Sequence, residues 1–232
     1  NNRRIRRFFE DRDNARLTEK TDREEWFMTP QTVNAYYLSN FNEIVFPAAF
    51  LQPPYFDPAV DDAVNYGAIG AVIGHEMGHG FDDQGSKSDA QGVKRNWWTD
   101  ADRAKFEART KVLGEQFSTY EPVKGQFVDG DIGDLGGLEV AYRAYQLSLK
   151  GEPAPIIGGY TGDQRFFLSY AQTYRTKRRE EFMLRLLKSD PHSPDKFRVN
   201  GVVRNMEAWY RAFDVKADDN LYLAPEQRAS IW

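Results

Sequence analysis

Gly74-His75-Glu76-Met77-Gly78-His79-Gly80 follows the apolar run at 68–73 and has the form H-E-x-x-H. On a helix the two histidines stand at i and i+4, about 40° apart around the axis, with roughly 5–6 Å between their Cβ atoms. Imidazoles so placed can share one metal ion. Zinc suits them, because it accepts nitrogen and oxygen donors tetrahedrally and, with three protein ligands, keeps a position for water. The ion lowers the pKa of that water toward about 7, and Glu76, next to the first ligand, is placed to take the proton as general base. The spacing points to metal-assisted amide hydrolysis. A five-residue pattern also arises by chance, but only three histidines occur in 232 residues and two of them fall inside this motif. The helix also carries Gly67, Gly70, Gly74 and Gly78. Each weakens it by roughly 0.8–1 kcal/mol relative to alanine. Such a helix is expected to be packed tightly by its neighbours, where small residues permit close approach.

Working outward, 232 residues with 41% hydrophobic and 28% charged side chains make an ordinary globular chain with a sizeable core. A net charge of −4 gives no reason to expect nucleic acid, and no run reaches the roughly 18 apolar residues of a membrane span. With no cysteine, disulfides, thiol nucleophiles and cysteine-ligated metals are excluded. The arginine-rich start lacks both an initiating methionine and the apolar core of a signal peptide. A fragment of a longer protein is the expectation, with the compartment open between cytoplasm and cell envelope or secretion.

Residues 1–30 read as a charged, solvated helical lead-in to a catalytic core at 31–232, a single domain. Two short β-prone runs, 32–37 and 42–46, suggest a hairpin whose outer edge could pair with an extended peptide. Asp61 and Asp62 suit the first turn of the motif helix. Residues 80–95 read as loop. Thr99 with Asp102 resembles an N-cap, and Thr161-Gly162-Asp163-Gln164 a capping box, each before a helix. A long helix is predicted over 130–149 and a last one over 202–213. The mixed-sign block 177–181 reads as a solvated helical face. Asp190-Pro191-His192-Ser193-Pro194 is a rigid polar turn holding the third histidine.

The ordered set Val33-Asn34-Ala35-Tyr36-Tyr37, His75 through Asp83, Gly133-Asp134-Leu135-Gly136-Gly137-Leu138, His192-Ser193-Pro194 and Ile231-Trp232 resembles the catalytic region of the neprilysin family of zinc endopeptidases. That family includes the endothelin-converting enzymes and bacterial oligopeptidases, and the cysteine-free sequence is more similar to its bacterial members. The resemblance implies a mainly α, thermolysin-like zincin domain with a small β-sheet. It also implies an N-terminal lobe over the cleft, largely missing here, which restricts access to oligopeptide substrates. His75 and His79 would be zinc ligands, Glu76 the base, Asp134 the aspartate that orients a ligand histidine, and His192 the oxyanion donor. Asn34 and Ala35 would bind the substrate main chain and Arg198 a substrate carbonyl. Tyr55, Val72 and Tyr174 would line the pocket after the scissile bond and favour an apolar residue there; core packing explains those three equally well.

One departure bears on the metal. The family's third ligand is a glutamate four residues before the final aspartate, and here that position is Gly130. The string Val128-Asp129-Gly130-Asp131-Ile132-Gly133-Asp134 also looks several residues short of the family's stretch. Asp131, about 100° around the helix from position 130, is the nearest substitute. Asp129 and a site of two histidines with water are the other options. The leading expectation is a zinc-dependent endopeptidase, and the alternative a catalytically impaired peptide-binding domain with an incomplete zinc site.

Overall fold

The computed structural model describes residues 1–121 and 132–232. Its described part is mainly helical with one two-stranded antiparallel sheet. No helix among the described residues is long and apolar enough to cross a membrane.

Helix α1 (Asn2–Arg16) buries no residue, in keeping with its charge. The hairpin forms, but its strands are shorter than the β-prone runs: β1 (Tyr36–Leu38) pairs with β2 (Glu43–Val45), Tyr37 opposite Ile44. Asn34 and Ala35 precede β1 rather than belonging to it.

The motif helix is built in three consecutive pieces: α2 (Asp62–Asn65), a π-helical turn (Tyr66–Gly70) and α3 (Ala71–Gly78). Asp61 caps α2 by accepting from the Ala63 N–H. The wider turn has a local cause. The Ile69 N–H donates to the Tyr55 carbonyl at 3.0 Å, so it leaves the regular i→i−4 ladder. That bond ties the 46–56 connection to the motif helix beside a small cluster of Ala35, Phe50 and Ile69, on which Tyr55 and Val72 pack.

Helix α4 (Asp100–Phe117) starts at Thr99, whose side chain accepts from Asp102 N–H as the sequence predicts. Helix α5 (Ile132–Ser148) lies along α3 with backbone against backbone. A Cβ on Gly74 would stand 2.4 Å from the Gly137 carbonyl oxygen, and one on Gly137 2.4 Å from the His75 nitrogen. Helix α6 (Gly162–Thr173) opens with the predicted capping box of Thr161 and Gln164. Its Phe166 backbone leaves no room for a side chain at Gly67. Arg165 clamps the start of the motif helix, with Nε 3.1 Å and Nη2 3.0 Å from the Asp61 carboxylate oxygens. The main core gathers Leu113, Phe117, Leu135, Leu138, Tyr145, Phe166, Tyr170, Val202 and Ile231.

Helix α7 (Glu180–Ser189) begins inside the mixed-sign block, so Lys177, Arg178 and Arg179 precede it. The single helix expected over 202–213 is instead two, α8 (Asp195–Val203) and α9 (Glu207–Phe213). Buried Asn205 causes the break: its amide donates to the Gly201 carbonyl at 2.7 Å and its oxygen accepts from Ala229 N–H at 2.7 Å. Such side-chain bonds compete with the helical ladder.

Candidate active site

The α3–α5 contact sets the site. His75 is buried, and its Nδ1 lies 2.9 Å from Asp134 Oδ1 across the two helices. Asp134 stands behind the imidazole, where Arg198 of α8 donates to it from Nε at 2.7 Å and Nη2 at 2.6 Å. Burial works against the Asp134 charge. The Arg198 guanidinium and the His75 hydrogen bond outweigh it and hold the carboxyl well below the usual range. Arg198 also lies over the Tyr174 ring, 4.8 Å from its centroid.

One turn on, His79 Nδ1 is 2.7 Å from Asp82 Oδ2. Asp82 Oδ1 accepts from the backbone N–H groups of Gln84 and Gly85, both at 2.8 Å. Burial raises the Asp82 pKa, but the His79 bond and these two donors lower it further. Glu76, buried between the two histidines in sequence, has its carboxyl pushed up by burial, against the pull of His75, His79, His192 and Arg198. That direction suits a base that must accept a proton near neutral pH.

His192 is brought to the same place from the turn before α8. Its ring centroid is 5.7 Å from that of His75 and 6.5 Å from that of His79. One ligand nitrogen from each of the three imidazoles lies within 4.8 Å of the others. The His192 Nδ1 is 2.8 Å from Asp190 Oδ1. An ionised carboxylate only accepts, so each Nδ1 carries the proton, and in the neutral imidazole it is Nε2 that offers a lone pair to a metal. This donor set of imidazole nitrogens, each braced by a carboxylate, fits zinc.

His75, Glu76, His79 and His192 face one cleft of about 590 Å³, also lined by Asn34, Ala35, Tyr55, Val72, Tyr174 and Arg198. Of the expected site residues, Asp134 alone among those described lies behind the wall. Asp131, with Gly130 and Asp129, lies outside the described residues. The carboxylates supporting His79 and His192 had no assigned role from the sequence. Their signal was present: Asp82 is three residues after His79 and Asp190 two before His192, distances a short side chain spans within one turn. The Arg198–Asp134 pair, 64 residues apart, carried no local signal.

The model of Peptidase family M13 matches residues 34–229. Neprilysin-11 of Caenorhabditis elegans is 39% identical over 97% of the chain and 28% of its own length. Endothelin-converting enzyme 1 of Bos taurus is 40% identical over 93% of the chain and 29% of its own length. Among solved structures, Mycobacterium tuberculosis zinc metalloprotease ZMP1 in complex with an inhibitor superposes with a TM-score of 0.92 at 58% identity, over 96% of this chain and 36% of that one. PepO from Lactobacillus rhamnosis gives 0.80 at 38% identity, over 91% and 33%. The chain thus spans less than a third of the curated relatives named here, and its fold is that of zincin metalloproteases. The chain belongs to peptidase family M13, the neprilysin family of zinc metallopeptidases.

Proposed function

We propose that this chain carries the catalytic centre of a zinc-dependent endopeptidase that hydrolyses oligopeptides, with an apolar preference for the residue after the scissile bond. The observation that supports this reading is the convergence of His75, Glu76 and His79 on one cleft wall, with Asp134 bracing His75. His75 and His79 would hold the ion, which when bound supplies Lewis acidity toward the peptide carbonyl and toward water. Glu76 takes the proton of the attacking water and returns it to the leaving nitrogen. Asn34 and Ala35, just before β1, line the cleft and would offer backbone groups to the substrate main chain, and Arg198 faces the same space. Tyr55, Val72 and Tyr174 give the cleft an apolar wall.

Glu76→Gln removes the base and keeps the shape. Cleavage of a fluorogenic peptide should fall by about 10²–10⁴-fold, while zinc content measured by elemental analysis stays at the parent value. Undiminished turnover would overturn the mechanism. Gly130, where a ligand glutamate is expected, favours a second reading, a peptide-binding domain with impaired catalysis. Stoichiometric zinc surviving dialysis, together with cleavage, rules that out.

A further inference from the structure

We propose that His192 is the third protein ligand of the zinc site, so that this chain holds its metal with His75, His79 and His192. The inference rests on the zinc-site reading above and replaces, for this chain, the oxyanion role that the family resemblance implies for His192.

Three observations lead to it. First, the position expected to supply a glutamate is Gly130, which has no side chain to donate. Second, the three imidazoles already converge, with one nitrogen of each within 4.8 Å of the others. Tetrahedral zinc with Zn–N bonds of 2.0–2.1 Å places its ligand nitrogens about 3.3 Å apart. The remaining closure is therefore about 1.5 Å at most. The His192 side chain, 35% exposed at the end of a turn, has the room to make it. Third, His192 carries the same support as the other two. Asp190 accepts from its backbone N–H at 3.0 Å and from its ring Nδ1 at 2.8 Å, as Asp134 serves His75 and Asp82 serves His79. Metal-bound histidines characteristically give their second ring N–H to such a carboxylate, which fixes the ring direction and makes the ligating nitrogen more basic.

The chain contains no cysteine, which makes a direct test available. His192→Cys in the full chain is loaded with cobalt(II). If position 192 ligates, an intense near-ultraviolet thiolate-to-cobalt charge-transfer band appears that the cobalt-loaded parent lacks. In parallel, zinc affinity is measured by competition with a chromogenic chelator, with circular dichroism confirming the helical content of each variant. His192→Ala should weaken zinc by more than about 100-fold, beyond what loss of a supporting carboxylate costs, whereas Asp131→Ala and Asp129→Ala keep the parent value. Cobalt bound to His192→Cys without the thiolate band overturns the assignment. So does parent affinity in His192→Ala alongside a loss in either aspartate variant. His75→Ala separates the two levels: if it alone abolishes zinc binding, only the ligand assignment fails, and if it too keeps parent affinity, the zinc-site reading itself fails.

Discussion

Replacing Gly74 with alanine should wedge the motif helix away from α5 and loosen the proposed metal site without touching a proposed ligand. The added Cβ would stand 2.4 Å from the Gly137 carbonyl oxygen and 2.7 Å from its Cα, both backbone atoms that cannot rotate away. Ordinary contact begins about 1 Å farther out, so the helices must separate by about that much. The same shift carries the His75–Asp134 bond from 2.9 Å to beyond hydrogen-bond range. Two free-energy terms oppose each other. Overpacking costs about 1–3 kcal/mol, and exchanging glycine for alanine inside a helix returns about 1 kcal/mol. Gly114 in α4 isolates the second term, since its Cβ would meet nothing within 4 Å. For a chain of this size 1 kcal/mol moves Tm by about 2–4 °C. Gly114→Ala should therefore melt about 2–4 °C higher, and Gly74→Ala up to about 8 °C lower. Loss of the carboxylate support should also weaken zinc by about 10–100-fold. Thermal melts by circular dichroism and chelator competition read both effects. If Gly74→Ala melts with Gly114→Ala and binds zinc like the parent, close backbone packing does not position His75.

Asp134→Asn should weaken zinc by about 10–100-fold. It should also lower stability by about 3–5 kcal/mol, because it breaks the buried Asp134–Arg198 ion pair; denaturant titration measures the second effect, and parent stability would refute it. Thr161→Ala, which removes the α6 capping box, should cost about 1 kcal/mol. That is a Tm lower by about 2–4 °C with zinc affinity unchanged, since this cap touches no site residue.

The local parts of this protein were open to reading from residues a few positions apart. The H-E-x-x-H spacing, the caps at Thr99 and Thr161 and the hairpin all follow from interactions within about one turn of chain, where backbone geometry leaves few choices. The resemblance to a family also brought Asp134 and His192 to notice in sequence order. Where local pattern failed, a distant partner intervened. The 202–213 helix breaks because Asn205 bonds Ala229, 24 residues on, and Gly67, Gly74 and Gly78 of the motif helix are explained by the backbones of Phe166, Gly137 and Gly133, while a Cβ on Gly70 would meet no atom closer than 3.6 Å.

What the sequence determined by itself is the chemistry on offer: two imidazoles and a carboxylate on one helix face, and a glycine where a third ligand was expected. Tertiary structure decided how that chemistry is assembled. Asp134 reaches His75 across 59 residues, and His192 arrives from another turn to complete a triad of histidines. The physical reason is that periodicity specifies which way a side chain points from its own helix. Which groups meet depends on how close two backbones can come, and at Gly74 and Gly137 that distance is set by the absence of two Cβ atoms.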